Sequence, residues 1–292
     1  MTKTLLVTGA STGLGVAIAI QAAKAGFAVY ASMRNLAKRA TLDQAAKTAG
    51  VELNVLQLDV ENTASVDTAV AQIITDHGHI DVLVANAGVG FARATEQATE
   101  AEIQWVMDVN FMGVVRCTKA VLPHMRAARS GRVIAISSVG GLAGQPFNEI
   151  YCASKFAVEG YIEGLASYVG PAFGLHFSAV EPGGISSEFV NSVMAKIGES
   201  GGLLTDEYLP LLQRYMGSRE GRSEGVFQTP DQVAGVVIDC ATSQNPPIRT
   251  RTSDWSESLT ALKTASDPDG KKLQAAILAE FLPGLVPHTD GA

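Results

Sequence analysis

The amino-acid sequence predicts an α/β protein built on a doubly wound, parallel, seven-stranded sheet. Short runs rich in β-branched residues alternate with helix-length amphipathic segments as far as about residue 180. Those runs are nearly continuous in apolar residues, as expected of strands covered on both faces. The first run leads straight into a glycine-rich turn and a helix, which brings a helix N-terminus up to an anionic group.

Strands are expected at 4–8 (TLLVT), 27–32 (FAVYAS), 51–57 (VELNVLQ), 80–85 (IDVLVA), 132–137 (RVIAIS), 174–180 (GLHFSAV) and near 247–252 (PIRTRT). Helices are expected at 13–25, 35–49, 63–77, 99–128, 151–170 and 230–242. This alternation implies right-handed crossovers between parallel strands. Residues 184–228 break the rhythm with Gly201, Gly202, Gly217, Gly221 and Gly225, and read as a hinged insertion. The tail, 253–292, carries Trp255, Leu259 and Leu262, then Leu273, Ile277, Leu278 and Phe281, at helical spacing. No repeat or long linker divides the chain, so one Rossmann-type domain over 1–292 is expected.

The 292 residues, 47% hydrophobic and 17% charged, suffice for a large buried core. A net charge of −7 without a basic cluster argues against nucleic-acid binding. Cys117, Cys152 and Cys240 are widely spaced and read as buried thiols in a reducing cytoplasm. The five histidines are scattered, so no metal site is expected. Residues 4–23 lack charge, yet their polar, glycine-rich centre makes a poor membrane-spanning helix. A cytoplasmic protein is expected.

The first turn reads Gly9-Ala10-Ser11-Thr12-Gly13-Leu14-Gly15. Glycines there let backbone N–H groups approach a pyrophosphate, and the strand-turn-helix context points to a dinucleotide. No Lys-Ser/Thr follows, which argues against a triphosphate P-loop. The second strand ends at Met33-Arg34-Asn35 with no acidic residue before Asp43. An acid would select NAD, whereas Arg34, helped by Ser11, suits the 2′-phosphate of NADP. NADP is therefore favoured over NAD; the bland alternative for Arg34 is a solvated helix-start residue.

Tyr151 and Lys155 stand four residues apart in YCASKFAVEG, and Ser138 precedes the tyrosine by thirteen. On a helix that spacing places both side chains on one face, about 6 Å apart at Cβ. The ammonium is expected to draw the phenol below its ordinary pKa of about 10, making it a proton donor and acceptor. Cys152 points about 100° around the helix and reads as core. Phe91, Phe147 and Met112 read as pocket lining or as packing.

In order, TGASTGLG (8–15), Asp59-Val60, Asn86-Ala87-Gly88, Asn110, Ser138, Tyr151-x-x-x-Lys155 and Pro182-Gly183 resemble the short-chain dehydrogenase/reductase family. Ala85 departs from members that carry a further asparagine there. PFNEIYCASKFAVEG and VFQTPDQVAGVVIDC are similar to the group containing 17β-hydroxysteroid dehydrogenase type 1 and photoreceptor retinol dehydrogenase.

The resemblance implies that Tyr151 exchanges the proton and Lys155 tunes it while binding the nicotinamide ribose. It implies that Ser138, chosen over Ser137 by the offset to Tyr151, holds the substrate oxygen. Asn110 would anchor a water linked to Lys155. Asp59 with Val60 would meet the adenine, Asn86 to Gly88 the adenosine ribose, and Pro182, Gly183, Ile185 and Ser187 the carboxamide and pyrophosphate. A homodimer is implied, with a tetramer as the alternative.

The insertion offers Leu203, Leu204, Tyr208, Leu209, Leu211, Leu212, Tyr215, Met216, Val226 and Phe227, suited to closing over a bulky hydrophobic ketone or alcohol. No histidine lies there to support a steroid contact. The expected activity is NADP(H)-dependent interconversion of such a ketone and alcohol. The alternatives are a 3-oxoacyl thioester reductase, with Arg214, Arg219 and Arg222 as a basic rim, and a catalytically silent NADP-binding regulator.

Overall fold

The computed structural model describes residues 2–186, 193, 195, 197–198, 202, 205–217 and 227–282. Seven parallel strands form the sheet: β1 (Thr4–Val7), β2 (Ala28–Met33), β3 (Asn54–Gln57), β4 (Val82–Ala85), β5 (Gly131–Ile136), β6 (Leu175–Glu181) and β9 (Arg249–Arg251). Their spatial order is β3-β2-β1-β4-β5-β6-β9, so the winding reverses between β1 and β4. At such a reversal a crevice opens beyond the carboxyl ends of the strands, and ligands of open α/β sheets bind there.

Both faces are covered. On one side α1 (Gly13–Lys24), α2 (Ala40–Ala49) and α8 (Pro230–Thr242) seat Ile18, Leu42 and Val237 against Leu5, Val7 and Ile134. On the other, α3 (Thr63–His77), α5 (Gly113–Ala128) and α6 (Glu149–Phe173) place Ile73, Val121 and Ile162 on Leu6, Leu83 and Val133. Burying each such side chain contributes about 1.5–3 kcal/mol, which makes the two-sided sheet the dominant apolar sink. β3 departs from the apolar-run expectation: it is the edge strand, and Asn54 and Gln57 face solvent.

Start and stop signals work as the sequence chemistry requires. Asn62 caps α3 by accepting from Ser65 N at 3.1 Å. Thr99 with Glu102 and Thr229 with Gln232 form capping boxes. Gly174 ends α6 at φ 71°, a conformation that disfavours any side chain. The predicted helices 63–77 and 230–242 are found as expected, while α6 is longer than 151–170.

Two predicted helices are broken. Residues 35–49 divide into a 3₁₀ turn, Leu36–Lys38, and α2. The expected helix 99–128 divides into α4 (Glu100–Met107), a π-helical turn (Asp108–Met112) and α5. The π turn lets Asn110 bond the chain after β4. It also lets Gly113 lie against Val60, where a Cβ would come within 2.9 Å of Val60 Cβ.

Within the insertion, β7 (Gly184–Ile185) pairs in parallel with β8 (Phe227–Gln228), and α7 (Leu209–Gly217) lies between them in sequence. Leu203, Leu204, Val226, Arg219, Arg222 and the glycines 201, 221 and 225 lie outside the described residues. The tail forms α9 (Asp254–Thr264) and α10 (Lys271–Phe281). The apolar residues at helical spacing do fall on a helix, α9, but Leu259 and Leu262 are exposed. Ser256, Thr260 and Thr264 are buried instead, with the two threonine hydroxyls donating to carbonyls one turn back. Cys117, Cys152 and Cys240 are buried free thiols. Among the described residues, no helix is long and apolar enough to cross a membrane.

Leu83→Ala, at a fully buried position in the central strand β4, is expected to lose about 2–5 kcal/mol. Leu262→Ala should stay within about 0.5 kcal/mol of the parent, because that side chain is already in water. Denaturant midpoints at constant m-value measure both.

Candidate active site

The crevice is built by two loops that touch. The turn after β1 and the chain after β4 meet where Asn86 Nδ2 donates to the carbonyls of Thr8 (2.8 Å) and Gly9 (3.3 Å). The Thr8 hydroxyl accepts from the Asn86 and Ala87 amides, each at 3.0 Å. A Cβ on Gly9 would come within 2.8 Å of Ala87 Cα. One on Gly15 would strike the Gly9 carbonyl and approach Asn86 Nδ2 to 2.8 Å. Gly9 and Gly13 also hold positive φ, 71° and 57°. Thr12 occupies the N-cap of α1 with no side-chain cap bond, so backbone N–H groups of Gly13, Leu14 and Gly15 face outward. The cradle thus fits a pyrophosphate, and a side chain at Gly15 would force the turn after β1 away from the chain after β4.

Around it the other predicted cofactor residues gather. Asp59 follows β3 and accepts from Glu61 N at 3.1 Å, while Val60 is buried against Gly113. Gly88 sits over Asn110 and Lys155, its would-be Cβ 3.2 Å from Asn110 Oδ1 and 3.6 Å from Lys155 Nζ. Pro182 accepts from Val139 N at 2.9 Å. Gly183 is closed over by Trp255 and Ser256 of α9, at 2.9 Å from a would-be Cβ. Ile185 lies in β7, Ser11 is half-buried in the first turn, and Ser187 lies outside the described residues.

Arg34 is 68% exposed and pairs with Glu61 at 3.1 Å. The sequence reading missed Glu61, since it follows β3 and reaches Arg34 only through the β2–β3 pairing.

The four predicted catalytic residues come together. Asn110 is fully buried in the π turn; its Oδ1 accepts from Val89 N (2.7 Å) and its Nδ2 donates to Val89 O (2.9 Å) and Ser154 Oγ (3.1 Å). Ser138 caps the 3₁₀ turn Val139–Gly141, accepting from Gly140 N at 3.0 Å, and hydrogen-bonds Tyr151. Ser137 turns the other way, toward Glu159. Lys155 is buried, donates to the Ile136 carbonyl at 2.9 Å and lies 5.8 Å from the Tyr151 ring centre. Cys152 packs inward as expected, Phe91 and Phe147 are buried, and Met112 is exposed.

The electrostatics correct one expectation. Burial pushes the Tyr151 phenol up to about 12, against the opposing pull of the Ser138 hydrogen bond. Lys155 does not draw it down: burial instead pushes the ammonium to about 8, with Glu159 one turn along the helix opposing that fall. Desolvation therefore outweighs the Ser138 hydrogen bond on Tyr151 and the Glu159 charge on Lys155. At neutral pH Tyr151 is a neutral phenol and Lys155 is charged.

The mouth of the site is bounded by the insertion. Tyr215 of α7 accepts from Asn148 Nδ2 at 3.0 Å, and its ring lies 5.9 Å from that of Phe147. Phe147 holds φ 61°, an unusual conformation for a bulky residue, four positions before Tyr151. Gln97 Nε2 donates to Asp206 at 2.7 Å from the opposite wall. Leu211 and Met216 are exposed, while Tyr208, Leu209 and Leu212 are half-buried.

Residues 3–198 match the short chain dehydrogenase family. Retinol dehydrogenase 8 of Bos taurus is 40% identical over 276 residues, spanning 92% of this chain and 86% of that protein. The 17-beta-hydroxysteroid dehydrogenase type 1 of Homo sapiens is 35% identical, spanning 94% and 85%. The 3-ketodihydrosphingosine reductase of Bacteroides thetaiotaomicron is 37% identical, spanning 91% and 93%. Among solved structures, a short-chain dehydrogenase from Streptomyces avermitilis superposes with a TM-score of 0.76 at 28% identity, covering 95% of this chain and 98% of that one. An actinorhodin polyketide ketoreductase with NADPH gives 0.71 at 29%, covering 83% and 91%. The glycine cradle, the seven-stranded order and these likenesses together establish that the chain is an oxidoreductase of the short-chain dehydrogenase family.

Proposed function

We propose that the protein reduces the ketone of a bulky apolar substrate, or oxidises the matching secondary alcohol, with NADP(H) and with Tyr151 as proton donor and acceptor. The observation that carries this reading is the convergence of Ser138, Tyr151, Lys155 and Asn110 beside the glycine cradle. A nicotinamide bound there supplies hydride. The chain acts as one unit, with 184–228 as the substrate flap.

Each residue has a task that its surroundings support. Ser138 donates to the substrate oxygen and offsets the charge that grows on it. Tyr151 is held as a neutral phenol, the form that delivers a proton to a carbonyl oxygen during reduction. Lys155 supplies the positive charge that steadies the phenolate left behind. Asn110 locks the chain after β4 against α6 through Val89 and Ser154, and so keeps Gly88 close to Lys155. Gly9, Ser11, Thr12, Gly13, Leu14 and Gly15 hold the pyrophosphate. Asp59, Val60 and Asn86 to Gly88 hold the adenosine. Pro182, Gly183, Ile185 and Ser187 hold the nicotinamide end.

The substrate class is supported by the half-buried apolar side of α7 and by the relatives' names. Retinol, a 17-beta-hydroxysteroid and 3-ketodihydrosphingosine are all large apolar molecules with a hydroxyl or keto group. Preference for NADP rests on Arg34. Its exposed pair with Glu61 is worth about 0–1 kcal/mol, so the guanidinium can turn to a phosphate at little cost. Homodimerisation through the outer face of α6 is supported by its exposed Phe156 and Tyr168.

Tyr151→Phe is expected to lower turnover of a ketone by about 10²–10⁴-fold while leaving NADPH affinity within a few-fold; retained turnover refutes the role. A protein that binds but does not reduce would leave NADPH unoxidised in a single-turnover screen of aliphatic, aromatic and steroidal ketones. Arg34→Asp should move preference toward NADH, and Glu61→Gln should tighten NADPH; titrations of both nucleotides read the result.

The pH dependence follows from Lys155. Its folded pKa, about 8, lies below the ordinary value, so the ammonium is lost as pH rises through 8 and the rate of reduction should fall there. Stability moves oppositely for this group. From about 8 to the ordinary lysine value the unfolded chain binds more protons, so this contribution rises with pH.

A further inference from the structure

Behind the catalytic helix lies a second buried charge cluster with no part in the proton transfer. Glu159 follows Lys155 by one turn of α6 and is buried. Glu181, the last residue of β6, is fully buried and faces it. The cations nearby are already shared. Arg251 pairs with Glu181 at 3.2 Å and with Glu257 of α9 at 3.0 Å. Arg249 pairs with Glu163 at 3.0 Å and Asp267 at 3.8 Å. That leaves Glu159 with the Ser137 hydroxyl, the Glu181 carboxyl and, one turn back, Lys155.

Two carboxylates accept and cannot donate. Ser137 is the neighbouring hydroxyl, but Glu159 Oε1 and Oε2 and Glu181 Oε1 are buried and meet no donor in good hydrogen-bond geometry among the described residues. An unpaired anion in such a site is costly, whereas one proton between the two carboxyls supplies the missing donor and halves the charge. The cluster also touches the catalytic wall. A Cβ on Gly141, in the turn that Ser138 caps, would fall 2.7 Å from Ser137 Oγ and 3.1 Å from Glu159 Oε1. The turn carrying Ser138 is thus closed directly over the carboxyl.

We propose that Glu159 and Glu181 hold one proton between them, and that this singly protonated pair is a positioning element that sets how long Lys155 stays charged. The inference rests on the role given to Tyr151 and Lys155 above. Burial raises Glu159 well above the usual carboxylate range, with the Glu181 charge adding to it, and raises Glu181 to about 7 against the pull of Arg251. The two titrate as a unit. While the proton is held, Glu159 is neutral. When it leaves at higher pH, the new anion lies one turn from Lys155 and helps the ammonium keep its own proton, which carries activity further into the alkaline range.

Glu159→Gln tests this, because the amide keeps the size and donates to Glu181 as the protonated acid would. The variant should turn over ketone at neutral pH, but the alkaline limb of kcat should move down by about half a pH unit or more. An unmoved limb in an active E159Q enzyme overturns the proposal and leaves the Tyr151 assignment standing. A Tyr151→Phe variant that still turns over ketone sinks that assignment instead. Infrared spectra of the wild-type protein at neutral pH give a readout independent of turnover and of whether the variant folds. The carbonyl band of a protonated carboxylic acid should be present, and its absence overturns the proposal. In folded E159Q the band should vanish, and its survival there does the same.

Discussion

A lysine ammonium buried beneath a glycine is the constraint around which this site is arranged. Lys155 reaches the carbonyl of Ile136 and lies within contact distance of the space above Gly88. A charge in that position is tolerated only if hydrogen-bonded, and the strand end provides the acceptor. Fixing Lys155 to β5 in turn fixes the rotation of α6, and with it Tyr151 one turn earlier. The same strand end supplies Ser138. Tyrosine, lysine and serine therefore share one reference frame even though thirteen or more residues separate the serine from the other two.

The second constraint is the contact between the turn after β1 and the chain after β4. Because β1 and β4 are neighbours at the reversal of the winding, Asn86 can reach the carbonyls of Thr8 and Gly9. Glycines at 9 and 15 are needed for that approach. Their absence of side chains thus serves two purposes: the loops close on each other, and the amides at the start of α1 stay open toward a ligand. The π-helical turn at Asn110 joins this contact to α6, since its side chain bonds Val89 on one side and Ser154 on the other.

Desolvation dominates the electrostatics throughout. It raises Tyr151, lowers Lys155 and raises both Glu159 and Glu181, and in each case the nearby charge or hydrogen bond opposes or adds only secondarily. The simple expectation that a lysine one turn away acidifies a tyrosine treats the pair as though it sat in water. In the folded chain the ammonium is spent on a backbone carbonyl, and the phenol is covered by protein.

Local pattern alone determined much of this molecule. Apolar runs of strand length, caps such as Asn62, Thr99 and Thr229, and the glycine turn follow from periodicity and backbone sterics acting over a few residues. The spacing of Tyr151 and Lys155 is likewise a property of any helix. What only the tertiary structure decided involves residues far apart in the chain. The π turn at Asn110, the Arg34–Glu61 pair, the closure of Trp255 over Gly183, the seating of Tyr215 on Asn148, and the burial of Ser256, Thr260 and Thr264 in place of Leu259 and Leu262 are of this kind. So is the meeting of Glu159, Glu181 and Arg251, which no spacing announces. Burial and charge depend on which surfaces the sheet brings together, and a linear pattern does not contain that three-dimensional neighbourhood.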